Sequence, residues 1–355
     1  MRNKKIILTL VFPLLTLVCA GQISLRVTQV DYQSMSTSQL QSVLESQPKN
    51  DLAWYSLYMN LREDAWNGPT KEVSSGEAKA LNEVATAAYT NVPNSYAGNV
   101  LYYLESDYDP EALPALKEAQ RISPLSTEVR ELMVAHYLAN SDDQELGTHL
   151  SILHQSGKYG SDLLTYARDV LMMLPENAAL VTNGSDDTYP ILITQYLFGL
   201  RKDVFVIPLD LCVNEDFRAK ISANTGVDVD KLSGKRRVSA EQLIKSTNRS
   251  VHFGLTLPNE WLTIDHDYQL AGFSITKNDP IGYDGLAQKF LSTIDVGAIP
   301  EKSKVSVNYL PFLFYMHEYC ERVGPLDRQA DIESKIRAIA EHLPAKEDVL
   351  QRLEP

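Results

Sequence analysis

Pro175-Glu-Asn-Ala-Ala-Leu-Val-Thr182-Asn183-Gly184-Ser185-Asp186-Asp187-Thr188-Tyr189-Pro190 is where the chain changes its period. Ala178 to Thr182 is an apolar run with the length of a buried strand, and Asn183-Gly184 is a turn dipeptide. Thr188 to Leu200 reads as a helix, and Val204 to Leu209 as a second buried strand. Strand, helix and strand in that order make a βαβ unit, the building block of a parallel sheet. Further along, short helices are expected over 217–223 and 240–245 with a polar loop over 226–237 between them. Strands are expected over 251–257 and 270–276, and helices over 285–294, 309–322 and 327–343.

Upstream of Pro175 the pattern is helical from about residue 36, and prolines punctuate it. Leu40-Gln-Ser-Val-Leu-Glu-Ser-Gln-Pro48 leads into Asn50-Asp-Leu-Ala53-Trp54. Glu118-Ala119-Gln-Arg-Ile122-Ser-Pro124 leads into Arg130 and Leu132, and Ala88-Tyr89-Thr-Asn-Val-Pro93 into Tyr96-Ala97. One helix closes at a proline and the next opens on a capping residue. These residues resemble tetratricopeptide repeats, in which stacked helix pairs bury faces that no single pair can cover. The proline spacings are 45, 31 and 51 residues, against about 34 in a regular array, so a degenerate array of helical hairpins is expected. Trp66 to Ser75 reads as a loop. The expected fold is therefore α plus α/β: a tetratricopeptide-like array over 21–174, a small α/β domain with a largely parallel sheet over 175–300, and C-terminal helices over 301–355 packing on it.

The first twenty residues read as a secretory signal. Arg2, Lys4 and Lys5 precede an apolar run from Ile6 to Val18, and Cys19-Ala20-Gly21 follows. Cleavage is expected after Ala20, with a periplasmic or secreted destination. A lipid anchor on Cys19 is the alternative, disfavoured by the bulky Val18 before it. The run is shorter than the about 20 apolar residues a membrane span needs, and no later stretch approaches that length, so a chain that does not span a membrane is expected. Loss of the three leader cations takes the formal charge from −13 to −16. So acidic a chain, with one basic cluster from Lys231 to Arg237, is repelled by phosphate backbones, which argues against nucleic acid as a partner. Cleavage would leave Cys212 and Cys320, either bridged or as free core residues.

The densest polar constellation, Asn183, Gly184, Ser185, Asp186, Asp187 and Thr188, falls where a parallel strand gives way to a helix, the place where open α/β sheets bind ligands. Asp186 or Asp187 can serve the helix start, with Pro190 in the first turn. One acid suffices for that and there are two, so these six residues are taken as a candidate ligand site for a hydroxyl-rich molecule or a divalent cation.

Ala179 to Pro190, continuing through Gln195-Tyr196, Gly199-Leu-Arg201, Asp203-Val204 and Val206 to Leu211, resembles the soluble C-terminal region of the membrane protein O-mannosyltransferase-like family. That family carries a Thr-Asn-Gly-Asp-Asn-Asp-Thr-aromatic-Pro signature followed by an arginine, an aspartate and a Val/Leu strand. Val251 to Glu260 and Tyr268 to Ile275 extend the likeness, which covers about residues 174 to 280. The resemblance implies a soluble α/β module beside helical repeats on the extracytoplasmic side. Ser185 replaces the signature acid, Asp186 stands where the family has asparagine, and the family's catalytic machinery lies in a multispanning region that this chain lacks, so mannosyl transfer is not carried over.

Other motifs read first as structure. Asp265-His266-Asp267 is a polar turn before it is a metal site, and His317 and Cys320, one helical turn apart, are core residues before they are ligands. Tyr55, Tyr58, Tyr102 and Tyr103 either pack between repeats or line a binding face. Asn183 and Asn248 head formal glycosylation sequons. With no Gly-x-Ser-x-Gly, His-Glu-x-x-His or Walker loop, no catalytic residue, metal or cofactor is assigned. Three readings follow in order: a non-catalytic envelope scaffold binding a protein partner on its repeats, an accessory sugar-binding or glycosylation-related protein using the acidic bend at 183–188, and an enzyme working through Asp186, Asp187 and Asp210.

Overall fold

The computed structural model describes residues 31–67, 73–258, 268–277 and 280–353. The expected leader over 1–20, Cys19 within it, and Asp265-His266-Asp267 lie outside the described residues. The array comprises α1 (Thr37–Ser46), α2 (Asp51–Trp66), α3 (Ser75–Asn91), α4 (Tyr96–Leu104), α5 (Leu113–Ile122), α6 (Thr127–Ala139), α7 (Asp143–Gln155) and α8 (Ser161–Met173).

Three of its corners are built alike. Gln47-Pro-Lys-Asn50, Val92-Pro-Asn-Ser95 and Ser123-Pro-Leu-Ser126 each place a helix C-cap, a proline, one residue and the next N-cap in succession. The C-cap residues share one backbone conformation, with φ of −133°, −134° and −128°. In each corner the N-cap amide donates to the C-cap carbonyl, at 3.0, 3.0 and 3.1 Å. Asn50, Ser95 and Ser126 then accept from backbone amides of the first turn of α2, α4 and α6. The proline cannot extend the outgoing helix and the polar side chain opens the next, which is why the sequence pattern repeats. Gly98 lies beneath the second corner, where a Cβ would collide with the Val92 carbonyl.

Beyond Pro175 the expected switch occurs. β1 (Ala179–Thr182), α9 (Ser185–Tyr196) and β2 (Phe205–Pro208) form the βαβ unit. They are followed by α10 (Glu215–Thr225), α11 (Arg236–Leu243), β3 (Val251–Gly254), β4 (Gln269–Ala271) and β5 (Ser274–Thr276). The strand order is β2-β1-β3-β5-β4. β1 is fully buried and pairs in parallel with β2 and β3, whereas β5 joins β3, and β4 joins β5, antiparallel. The sheet is thus mixed: the segment read as one strand over 270–276 is a hairpin. Gly272 breaks it at the first position of a two-residue loop, with φ of 66°, where a left-handed residue is required. Any side chain there would also press on Met173 of α8.

α9 starts earlier than expected, because Gly184, at φ 82°, turns the chain directly into it; Pro190 consequently falls beyond the first turn. The C-terminal helices are α12 (Gly282–Thr293), α13 (Leu310–Arg322), α14 (Leu326–Ala340) and α15 (Lys346–Gln351). Phe273 of the β4–β5 loop packs against Tyr309, Phe290 and Phe312, joining the sheet to α12 and α13. One continuous apolar core runs from Val100 through the sheet to Ile339, while α1 to α3 bury smaller clusters of their own. α9 packs on α7 and α8, so the last helix pair of the array is built into the α/β half. Cys212 and Cys320 are both buried and free, which settles the open choice between bridge and core residue.

Arg201 ties the two halves together at the end of α8. Its guanidinium donates to the carbonyls of Leu171, Leu174 and Pro175 at 2.7–2.8 Å and holds Asp203 with two bonds of 2.9 Å. Helix ends leave carbonyls short of intrahelical donors, and here Arg201 supplements the Leu174 amide at Leu171, shares the Leu174 carbonyl with Lys289 Nζ at 2.6 Å, and holds the Pro175 carbonyl just beyond the cap. Asp203 also accepts the Asn177 amide. The arginine and aspartate of the family-like stretch are therefore a structural clamp.

Candidate functional site

A cleft of about 630 Å3 opens at the carboxyl ends of β1 and β2, between the sheet rim and the array. The helix that follows each proline corner supplies part of its roof: Arg62, Glu63 and Trp66 from α2, Leu104 from α4, and Glu128, Glu131 and Leu132 from α6. The floor is Asn183, Gly184, Ser185, Thr188 and Tyr189 from the β1–α9 bend, with Pro208 at the end of β2, Asp210 after it and Arg236 at the start of α11. This is the carboxyl rim where strand order diverges from sequence order, the general ligand position of open α/β sheets.

Of the six residues singled out in the sequence, Asn183, Gly184, Ser185 and Thr188 line this cleft, and Asp186 and Asp187 do not. Asp186 is exposed and paired with Lys304. Asp187 turns back beneath the bend, accepting the Asn183 amide at 3.0 Å and the Thr256 hydroxyl at 2.7 Å, which ties β1 to the loop after β3. Burial raises its carboxyl to about 6 despite those donors. Neither acid caps α9: the N-cap is Gly184, with no side-chain hydrogen bond. Thr182 and Thr188 close the bend through a buried hydroxyl pair at 2.8 Å.

The sequence reading missed the residues that give the cleft its character. Arg236 lies 3.9 Å over the Trp66 ring, pairs with Asp210 and donates to Asn183 Oδ1 at 3.3 Å, so one guanidinium joins α2, the turn after β2 and the β1–α9 bend. Arg62 lines the same space with no hydrogen bond or ion pair among the described residues. Tyr108 enters from a turn in which both Asp107 and Tyr108 are left-handed, at φ 51° and 63°. Two successive non-glycine residues in that region are costly. Asn140 holds the turn through the Tyr108 carbonyl at 3.1 Å, and Asn214 through the Asp107 carbonyl at 3.2 Å. Only two features of the sequence pointed this way: the lone basic cluster containing Arg236, and a tryptophan at the mouth of a Gly/Pro loop.

The acids at the back of the cleft are already engaged. Glu128 accepts the hydroxyls of Tyr55 at 2.9 Å and Tyr96 at 2.6 Å, whose phenols are pushed up by burial and by that carboxylate. Glu131 takes Lys158 and Tyr159, and Tyr189 donates to its carbonyl at 2.9 Å. Among the four repeat-region tyrosines, Tyr58 bonds Glu105 and Tyr103 meets His136 at 2.8 Å, so three pack inward. Tyr102 alone is exposed, stacked on Tyr89 with ring centroids 4.5 Å apart. His317 faces Gln329 and Glu333 of α14, and no group of three metal-ligating side chains gathers among the described residues. No described helix is long and apolar enough to cross a membrane.

Compared with known protein families, curated proteins and solved structures, the chain matches none.

Proposed function

We propose that this chain is an exported, non-catalytic binding protein whose ligand is a small hydroxyl-rich molecule of carbohydrate type, held in the cleft between the repeats and the sheet rim. The observation that supports it is the composition of that cleft: Trp66, Tyr108 and Tyr189 line one space with Asn183, Asp210, Arg62 and Arg236, the last stacked over one face of the Trp66 ring. Aromatic faces with flanking amide, carboxylate and guanidinium groups suit a ring that offers C–H faces and hydroxyl edges. Glu128, Glu131, Asp210 and Asp187 each hold a protein donor, which favours binding over acid–base chemistry. The likeness of residues 174–280 to the O-mannosyltransferase-like family points to the same ligand class, in a glycosylation-related accessory role.

Thermal shift against a panel of monosaccharides, oligosaccharides and sugar phosphates tests this reading. At least one member should stabilise the chain. Trp66→Ala and Asp210→Asn should abolish that stabilisation, and Asp186→Asn, outside the cleft, should keep it. A panel that leaves the parent protein unmoved ends the proposal.

The scaffold reading has one observation of its own, the exposed Tyr89–Tyr102 stack on α3 and α4. An envelope pull-down that recovers a partner with the parent chain, and loses it with Tyr89→Ser/Tyr102→Ser, would support that reading; recovery of no partner counts against it.

A further inference from the structure

A second cavity, of about 540 Å3, lies at the opposite, amino-terminal ends of the parallel strands, beside edge strand β2. Three cations converge on it, Lys202, Lys220 and Arg249, in a chain whose formal charge is −13. Two carboxylates share the lining: Asp203 is held by the two bonds from Arg201, while Asp143, which accepts the Tyr196 hydroxyl at 3.0 Å, keeps a charge that Lys220 feels, so three cations face one carboxylate without a cationic partner. Among the described residues, neither lysine ammonium makes a hydrogen bond or ion pair. Lys220 is only partly exposed, and burial lowers its pKa, with Asp143 near enough to oppose the shift. A half-buried ammonium opposed only by the Asp143 carboxylate beyond ion-pair distance is under-compensated in the empty protein, and an anion relieves it.

Arg249, in contrast, is fixed in place. Its guanidinium donates to the Asp203 and Asn177 carbonyls at 2.9 and 3.2 Å and to Asn224 Oδ1 at 3.3 Å, and it lies over the Phe205 ring at 5.8 Å. Leu138 and Leu192 supply an apolar wall. Pre-set positive charge against an apolar wall selects an anion that carries a hydrophobic body, more than a bare ion.

We propose that this cavity binds a small organic anion, a carboxylate or phosphate ester with an apolar body, with Lys220 as its principal charge partner, Lys202 at the mouth and the body against Leu138 and Leu192. It is distinct from the cleft at the other end of the strands, with which it shares only the Leu138 wall.

The test uses phenyl phosphate, benzoate, inorganic phosphate and benzyl alcohol as probes, with calorimetric titration and thermal shift on the whole chain. Phenyl phosphate or benzoate should bind saturably and raise the melting temperature. Lys220→Met should weaken binding about tenfold or more, the loss expected for one charge-assisted contact, while melting no lower than the parent without ligand. Asp143→Asn should tighten binding, and Trp66→Ala should leave it unchanged. Equal affinity in Lys220→Met, equal stabilisation by inorganic phosphate, equal binding of neutral benzyl alcohol, or no saturable binding by either aryl anion overturns the proposal.

Discussion

Replacing Arg201 with methionine removes five hydrogen bonds and keeps the aliphatic stem. The backbone there is left-handed, at φ 48°, but methionine inherits the same strain as arginine, so the comparison isolates the guanidinium. The hydrogen bonds from that guanidinium hold the Asp203 carboxyl down at about 2. Against an ordinary value near 3.9 that shift is worth about 2.5 kcal/mol at full strength. Asp203 keeps 31% of its side-chain exposure, and screening reduces the figure to about 1–2 kcal/mol. The Leu171 carbonyl keeps the Leu174 amide at 3.3 Å and the Leu174 carbonyl keeps Lys289 Nζ at 2.6 Å, so the three carbonyls together lose about 1–2 kcal/mol. Arg201→Met should therefore cost about 2–4 kcal/mol, and Asp203→Asn about 1–2 kcal/mol. The double variant should lie close to Arg201→Met alone, a coupling of about 1–2 kcal/mol. Urea unfolding followed by circular dichroism at pH 7 reads all three. The depressed carboxyl contributes stability above its unfolded value and loses it only as pH falls toward 2, so the coupling should be constant from pH 5 to 7. A cost for Arg201→Met below about 1 kcal/mol, or additivity of the two changes, refutes the clamp.

Asp169, buried within α8 and holding the Tyr309 hydroxyl at 2.9 Å, is pushed up to about 6 by burial. The folded state keeps a proton that the unfolded chain has released, so this group subtracts stability as pH rises from about 4 to 6. Asp169→Asn should gain on the parent across that range by up to about 3 kcal/mol in urea titrations; a difference independent of pH would contradict it. Gly98→Ala should lower stability by about 1–3 kcal/mol through collision with Val92, whereas Gly147→Ala, in the interior of α7 with open space around it, should raise it by up to about 1 kcal/mol. Equal effects of the two in thermal melts would count against the corner geometry. Cys212 and Cys320 should both react with a thiol reagent only after denaturation, without prior reduction.

The architecture was legible wherever a local rule acts alone. Pro48, Pro93 and Pro124, each followed two residues later by a capping side chain, announced their corners because the corner is made by those four residues and little else. The run from Ala178 to Thr182 announced a buried strand for the same reason. The hairpin at Gly272 was hidden, since three-residue strands leave too few alternations to show a period and the glycine resembles an interior irregularity. The site was half legible. The bend from Asn183 to Thr188 does face the cleft, yet its two acids turn elsewhere, because the sequence cannot say which side of a helix start meets a neighbouring helix. Arg62, Trp66 and Arg236 line one cleft across some 170 residues of chain, and no spacing in the sequence carries that distance.

The separate small clusters beneath α1 to α3 have a dynamic consequence. The helices from α5 onward share one interior with Val100 and Tyr103 of α4 and should open only with the whole molecule, whereas α1 to α3 can breathe against their own modest contacts. Arg62 and Trp66 ride on that looser leaf and Asn183 and Asp210 on the firm one. Amide exchange in α2 should therefore be fast in the empty protein and slow once the cleft is occupied, and that slowing would show the leaf pressed shut.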